Sequence, residues 1–116
     1  MMFLFVYGTL RRGESRHRYL AGQRYVGVAR TQPQYRLFDL GDYPGLVERS
    51  NGRSIEGELW DVAPECLARL DTVEGCHEGL YRRSDVQLLS PHDQLPVFSY
   101  LYEKTVDGMP ECGGRW

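Results

Sequence analysis

The sequence predicts an α+β fold dominated by strands, with two short helices. Hydrophobic runs of strand length recur between glycine and proline punctuation. Several alternate with the period of two that turns one face inward, and only two segments carry helical signals. At 116 residues, 41% hydrophobic and 26% charged, the chain suits a single domain over residues 1–116, able to bury a moderate core with no room for a second. It shows no internal repeat and no low-complexity tract.

The expected strands are Phe3–Tyr7, Tyr25–Arg30, Tyr35–Leu40, Leu46–Arg49, Ile55–Val62, Tyr81–Leu89 and Val97–Glu103. The alternation is plain where Ile55, Gly57 and Leu59 oppose Glu56, Glu58 and Trp60. The first helical segment, Ser15–Ala21, is polar and short and stops at Gly22. The second begins at Pro64, whose missing N–H is no loss at the first helical position, and runs through Glu74 to a stop at Gly75.

Charge and cysteine usage exclude several functions. The net charge of -2 and the scattered basic residues supply no electropositive face for nucleic acid or an anionic membrane; Glu14 interrupts the cluster of Arg11, Arg12, Arg16 and Arg18. The apolar start, Met1–Tyr7, is too short to span a bilayer and lacks a basic leader, so it is expected to be a strand. Cys66, Cys76 and Cys112 are odd in number and unpaired in spacing, which argues against a disulfide framework or a zinc site and suits a reducing cytoplasm. His17, His77 and His92 show no ligand spacing and read as surface or loop residues.

Two features point to chemistry. Phe3-Leu4-Phe5-Val6-Tyr7 runs straight into Gly8-Thr9-Leu10, and a buried strand ending in a glycine turn can aim successive backbone N–H groups at one small anion. The same segment also fits an ordinary first strand with a tight turn. The second feature is Glu74. On a wheel of ~100° per residue, Cys66, Leu67, Leu70 and Val73 form an apolar stripe, and Glu74 falls between the directions of Leu67 and Leu70. An ionised carboxylate buried without a partner costs several kcal/mol or takes up a proton. Glu74 therefore either sits in such a place, swings to solvent as the last turn frays, or pairs with Arg82 or Arg83.

Taken together, Tyr7-Gly8-Thr9-Leu10 with Arg12-Gly13 and His17, Tyr43-Pro44-Gly45-Leu46-Val47, Glu56-Gly57-Glu58-Leu59-Trp60, Leu70-Asp71-Thr72-Val73-Glu74-Gly75, Leu80-Tyr81-Arg82-Arg83 and the ending Gly114-Arg115-Trp116 resemble the gamma-glutamylcyclotransferase-like family. The match follows most of the chain in order and is nearest the small bacterial members and the gamma-glutamylamine cyclotransferases. The resemblance implies a small, closed or nearly closed mixed β-barrel with short flanking helices and a ligand cavity where the first strand's loop meets the end of the Pro64 helix. It implies that Tyr7, Gly8, Thr9 and Leu10 line the site and that Glu74 is the catalytic acid/base. The implied ligand is a small gamma-glutamyl compound, which cyclises to 5-oxoproline with release of an amine.

Tyr7, Tyr81 and Tyr102 could add hydroxyl donors and ring walls to such a site, with core packing the competing role for Tyr102. Neither metal nor cofactor is called for. Asp71 flanks the stripe and is expected to hydrogen-bond near the helix end; Glu56 and Glu58 are expected to face solvent or a loop, and Trp60 and Trp116 to pack in the core or at its rim. Cys76 lacks the orienting partners of a thiol nucleophile. The loop Gly75–Gly79 carries nothing that names the leaving amine, so peptides of the glutathione type, gamma-glutamyl amino acids, gamma-glutamyl-lysine and other gamma-glutamylated metabolites are all open. A non-catalytic module of the same fold that binds a small metabolite is the alternative reading, and a β-domain for protein contacts is a third.

Overall fold

Eight strands form one mixed sheet in the order β2-β5-β1-β7-β4-β3-β8, with β6 added along β7. This is a computed structural model that describes residues 2–116; Met1, read above with the opening strand, lies outside the described residues. The strands are β1 Met2–Val6, β2 Arg24–Arg30, β3 Tyr35–Asp39, β4 Pro44–Glu48, β5 Glu56–Val62, β6 Tyr81–Val86, β7 Val97–Tyr102 and β8 Glu111–Gly113, and helix α1 spans Pro64–Val73. The sheet curls into a half-barrel rather than a closed one; β2 and β8 end its main path, and β6 ends the branch from β7.

Strand β1 is apolar without alternation because both of its faces are covered. Phe5 packs with Leu37, Leu46, Leu59 and Leu101 on one face, while Leu4 and Val6 pack with Trp60, Leu67 and Leu70 on the other. Trp60 thus departs from the simple alternation expected of β5. It shares the polar side with Glu56 and Glu58 in sequence, yet it is 5% exposed because α1 and its neighbours cover that end of the strand.

Two further differences have physical reasons. Of the expected helix Ser15–Ala21, only His17–Leu20 turns, as a single 3₁₀ element with no side-chain cap at Arg16. Seven residues, most of them polar, do not offset the cost of nucleating an α-helix, and Gly22 at φ +81 ends the turn. Strand β8 has no apolar pattern and was not expected; its antiparallel pairing with β3, through Leu37–Gly113 and Phe38–Glu111, makes it a strand. The end of the expected strand at Leu89 moves back to Val86, although Leu88 still bridges Thr31.

The edge of β7 that faces away from β6 is shared by two parallel strands. Its first half pairs with β1 through Phe3–Val97 and Leu4–Phe98, and its second half with β4 through Leu46–Leu101. Between them β1 peels off. Ser99 Oγ donates to the Phe5 carbonyl at 2.7 Å, and the Tyr7 hydroxyl donates to the Tyr100 carbonyl at 2.6 Å while accepting from the Leu46 N–H at 3.3 Å. The segment Gly8-Thr9-Leu10 emerges at this seam beside Pro44, the first residue of β4.

Candidate functional site

A cleft opens at the seam, lined by Tyr7, Gly8, Thr9 and Leu10 from the end of β1, Tyr43 and Pro44 from the start of β4, Glu74 from the end of α1, and Tyr81 and Tyr100. Its empty space, mouth included, is about 340 Å³.

Gly8 is required here by close approach and not by a positive φ. A Cβ at this position would stand 2.6 Å from Pro44 Cγ and 2.7 Å from its Cδ. The turn that follows is closed by Arg11 N–H to the Gly8 carbonyl at 3.1 Å and by Arg16 N–H to the Thr9 carbonyl at 2.8 Å. Among the described residues, the N–H groups of Gly8, Thr9 and Leu10 make no hydrogen bond within the protein. His17, expected at the surface or in a loop, steadies this turn: Nδ1 lies 3.0 Å from the Leu10 carbonyl and the ring packs 5.3 Å from that of Trp60.

Glu74 does not fray. Its N–H donates to the Leu70 carbonyl at 2.8 Å, and the next residue, Gly75, turns the chain at φ +70 with its own N–H on Thr72 at 3.1 Å. The carboxylate is therefore held at the helix end, 8% exposed, against the cleft. Burial pushes its pKa from 4.5 to about 7, opposed in part by the Arg16 guanidinium. The pairing with Arg82 or Arg83 left open by the sequence is not made. Arg82 binds Glu48 at 2.9 Å and Glu103 at 3.1 Å, and Arg83 binds Asp71 at 3.2 Å. The cation beside Glu74 is Arg16, whose Nη1 stands 3.8 Å from Oε2.

The tyrosines serve as walls more than as free donors. Tyr7 uses its hydroxyl at the seam, Tyr81 donates to the Pro44 carbonyl at 2.7 Å, and Tyr100 donates to Asp71 Oδ1 at 2.7 Å. Burial raises the pKa of all three well above the ordinary phenol value, so they remain neutral. Tyr102 stands behind the cleft, its ring edge-on to Tyr81 at 5.3 Å, and lines a separate surface groove with Arg82 and Lys104. Tyr100 takes the place at the cleft that the sequence offered to Tyr102. Both lie on one parity of β7, and only the position of the seam decides between them.

Asp71 has the hydrogen-bonding role expected of it, between Tyr100 and Arg83. Glu58 faces inward more than expected, accepting from the Arg12 N–H and the Trp60 indole, at 3.1 and 3.2 Å. Glu56 is paired at the surface with Arg30 and Arg115. Burial and the nearby acids Asp71 and Glu74 push the Cys76 thiol up, away from the thiolate a nucleophile needs. Among the described residues no cluster of histidine, cysteine or carboxylate side chains is arranged to hold a metal, and no helix is long and apolar enough to cross a membrane. Sequence reasoning missed Arg16, whose only signal was its place in a basic cluster, and Tyr43 and Pro44, which it quoted without a role.

The cleft thus brings a protonatable, sequestered carboxylate to one end of a loop with free backbone donors. The family model described as gamma-glutamyl cyclotransferase, AIG2-like, matches residues 4–116. The chain is 42% identical over 102 residues to a Vibrio cholerae relative named after the same family, covering 88% of this chain and 83% of that one. It is 35% identical over 104 residues to human gamma-glutamylaminecyclotransferase, covering 83% of this chain and 67% of the relative. In structure it resembles an AIG2-like protein from Mus musculus with a TM-score of 0.84 at 27% identity, over 100% of this chain and 88% of that one. The chain belongs to the gamma-glutamyl cyclotransferase, AIG2-like family.

Proposed function

We propose that this protein is a cyclotransferase that releases 5-oxoproline and an amine from a small gamma-glutamyl compound, with Glu74 as general acid and base. In such a reaction the substrate's own α-amine attacks its γ-carbonyl carbon, a ring C–N bond forms, and the original amide C–N bond breaks. The attacking group is already tethered, so the protein has to fold the substrate, accept a proton from the amine, stabilise the carbonyl oxygen and return a proton to the departing nitrogen.

The observation that carries this reading is the Glu74 carboxyl, 8% exposed and pushed up to about 7, beside backbone donors with no internal partner. A group that titrates near neutrality can take the amine proton and deliver it to the leaving nitrogen in one turnover. The Gly8, Thr9 and Leu10 amides are the donors offered to the substrate carboxylate or to the developing oxyanion. Tyr7 and Tyr81 shape the walls, and Tyr102 supports Tyr81 from behind.

The test is release of 5-oxoproline from a panel of gamma-glutamyl compounds. The native chain is expected to turn over at least one of them, and Glu74→Gln to reduce kcat by about 10²-fold or more while the fold is kept. Equal turnover in the two would remove Glu74 from the mechanism. Turnover of none would leave the same cleft as a metabolite-binding module.

A further inference from the structure

We propose that Arg11 is a positioning residue: its guanidinium, bound to the Gly8 carbonyl from outside the cleft, orients and polarises the Thr9 N–H. The kinetic part of this rests on the cyclotransferase reading above, and the geometric part does not. Arg11 does not line the cleft. It borders a separate surface recess with Val28, Glu58 and Arg115.

The connection runs through one peptide group. The Gly8 carbonyl and the Thr9 N–H belong to the same planar trans unit, so they point in opposite directions. On the carbonyl side Arg11 supplies two donors, its own N–H at 3.1 Å and its side-chain Nε at 3.2 Å. With that oxygen held by both, the Thr9 N–H is turned the other way, where among the described residues it has no partner in the protein. The next two peptide planes of the loop are pinned at their carbonyls by the Arg16 backbone N–H at 2.8 Å and by His17 Nδ1 at 3.0 Å. Of the three, the Gly8–Thr9 plane alone is held by a guanidinium. A hydrogen bond from an ionised donor is roughly twice as strong as a neutral one, and it draws electron density from the carbonyl so that the N–H at the far end becomes a better donor.

The guanidinium is itself fixed. Its Nη2 donates to the Trp116 carbonyl at 2.9 Å. The Trp116 side chain packs against the core cluster that holds Phe5, Tyr7 and Leu37, and its ring comes within 3.9 Å of where a Cβ on Gly8 would stand. Among the described residues no aspartate or glutamate side chain pairs with Arg11, whereas Arg12 and Arg16 have Glu58 and Glu74. The charge of Arg11 is thus spent on backbone oxygens, one of which belongs to the site loop.

The test replaces Arg11 with Met, which keeps the stem and removes the charge and the side-chain hydrogen bonds, and with Lys, which keeps the charge. Both variants are compared with the native chain at equal folded fraction, checked by urea titration. Arg11→Met is expected to lower kcat/KM for 5-oxoproline release by about tenfold. It is also expected to move the Thr9 amide nitrogen resonance by more than the Leu10 one, with Arg11→Lys recovering part of each effect. An unchanged kcat/KM, whatever the urea midpoint, would make Arg11 a structural tie only, and equal shifts at Thr9 and Leu10 would mean that the loop moves as a whole; either overturns the assignment. If the native chain turns over no gamma-glutamyl compound, the cyclotransferase reading fails by itself and the Thr9 resonance still decides the role of Arg11. A shift centred on Thr9 and partly restored by Lys upholds it, and an unmoved resonance overturns it.

Discussion

Glu74 holds the tension in this molecule between stability and the proposed chemistry. In the unfolded chain it titrates near 4.5, and in the folded protein near 7. Between those values the folded protein keeps a proton that the unfolded chain has released, so stability falls as pH rises through that window. The full penalty, about 3 kcal/mol by linkage, is present above pH 7 and absent below 4.5. Replacing the carboxylate with a neutral amide of the same shape removes the penalty. Glu74→Gln is therefore expected to be more stable than the native chain at pH 8, by about 2–3 kcal/mol, and equal to it at pH 4. Urea titrations at the two pH values measure the difference, and a constant gap across pH would show that the carboxyl is not desolvated. The sequence made this residue legible because a carboxylate on an apolar stripe violates the helix pattern. The sequence could not show that Gly75 pins it there, nor that Arg16 rather than Arg82 or Arg83 is the neighbouring cation.

At the scale of elements, the site exists because two parallel strands share one edge of β7. The Tyr7 hydroxyl lies at the junction, between the Leu46 N–H and the Tyr100 carbonyl. Tyr7→Phe keeps the ring and removes both hydrogen bonds from a buried place, with an expected loss of about 1–3 kcal/mol. A lowered urea midpoint with an unchanged slope is the expected result, and a midpoint equal to the native one would show that the seam closes without the hydroxyl. Helix α1 was readable almost to the residue because Pro64, the apolar stripe and Gly75 agree with one another. The turn at His17–Leu20 and strand β8 were not, since neither carries a periodic pattern and each takes its form from what it packs or pairs against.

For the molecule as a whole, stability is expected to be graded from the middle of the sheet outwards. Strand β1 lies between β5 and β7 with Leu4 and Phe5 at 0% exposure, whereas β8 is three residues long, pairs among the described residues with β3 alone and begins at exposed Glu111. Native-state hydrogen exchange should find the slowest amides in β1 and in the part of β5 that pairs with it, and should find β8 opening with a much smaller free energy. Uniform protection across β1 and β8 would contradict this ordering. The rigid centre also suits the proposed chemistry, because the loop Gly8–Leu10 follows β1 directly, and Leu10 shares one buried cluster with Leu4 and Val6 of β1 and Leu67 and Leu70 of α1.

The positions of seven strands along the chain, the limits of α1 and the oddity of Glu74 follow from the sequence itself, because each is written in local periodicity and in the backbone preferences of glycine and proline. Which edge of β7 is divided, which tyrosine faces the cleft and which arginine reaches Glu74 were decided by tertiary structure. Those outcomes depend on pairings between residues as distant as Tyr7 and Tyr100, and no local pattern encodes the register of such a pairing.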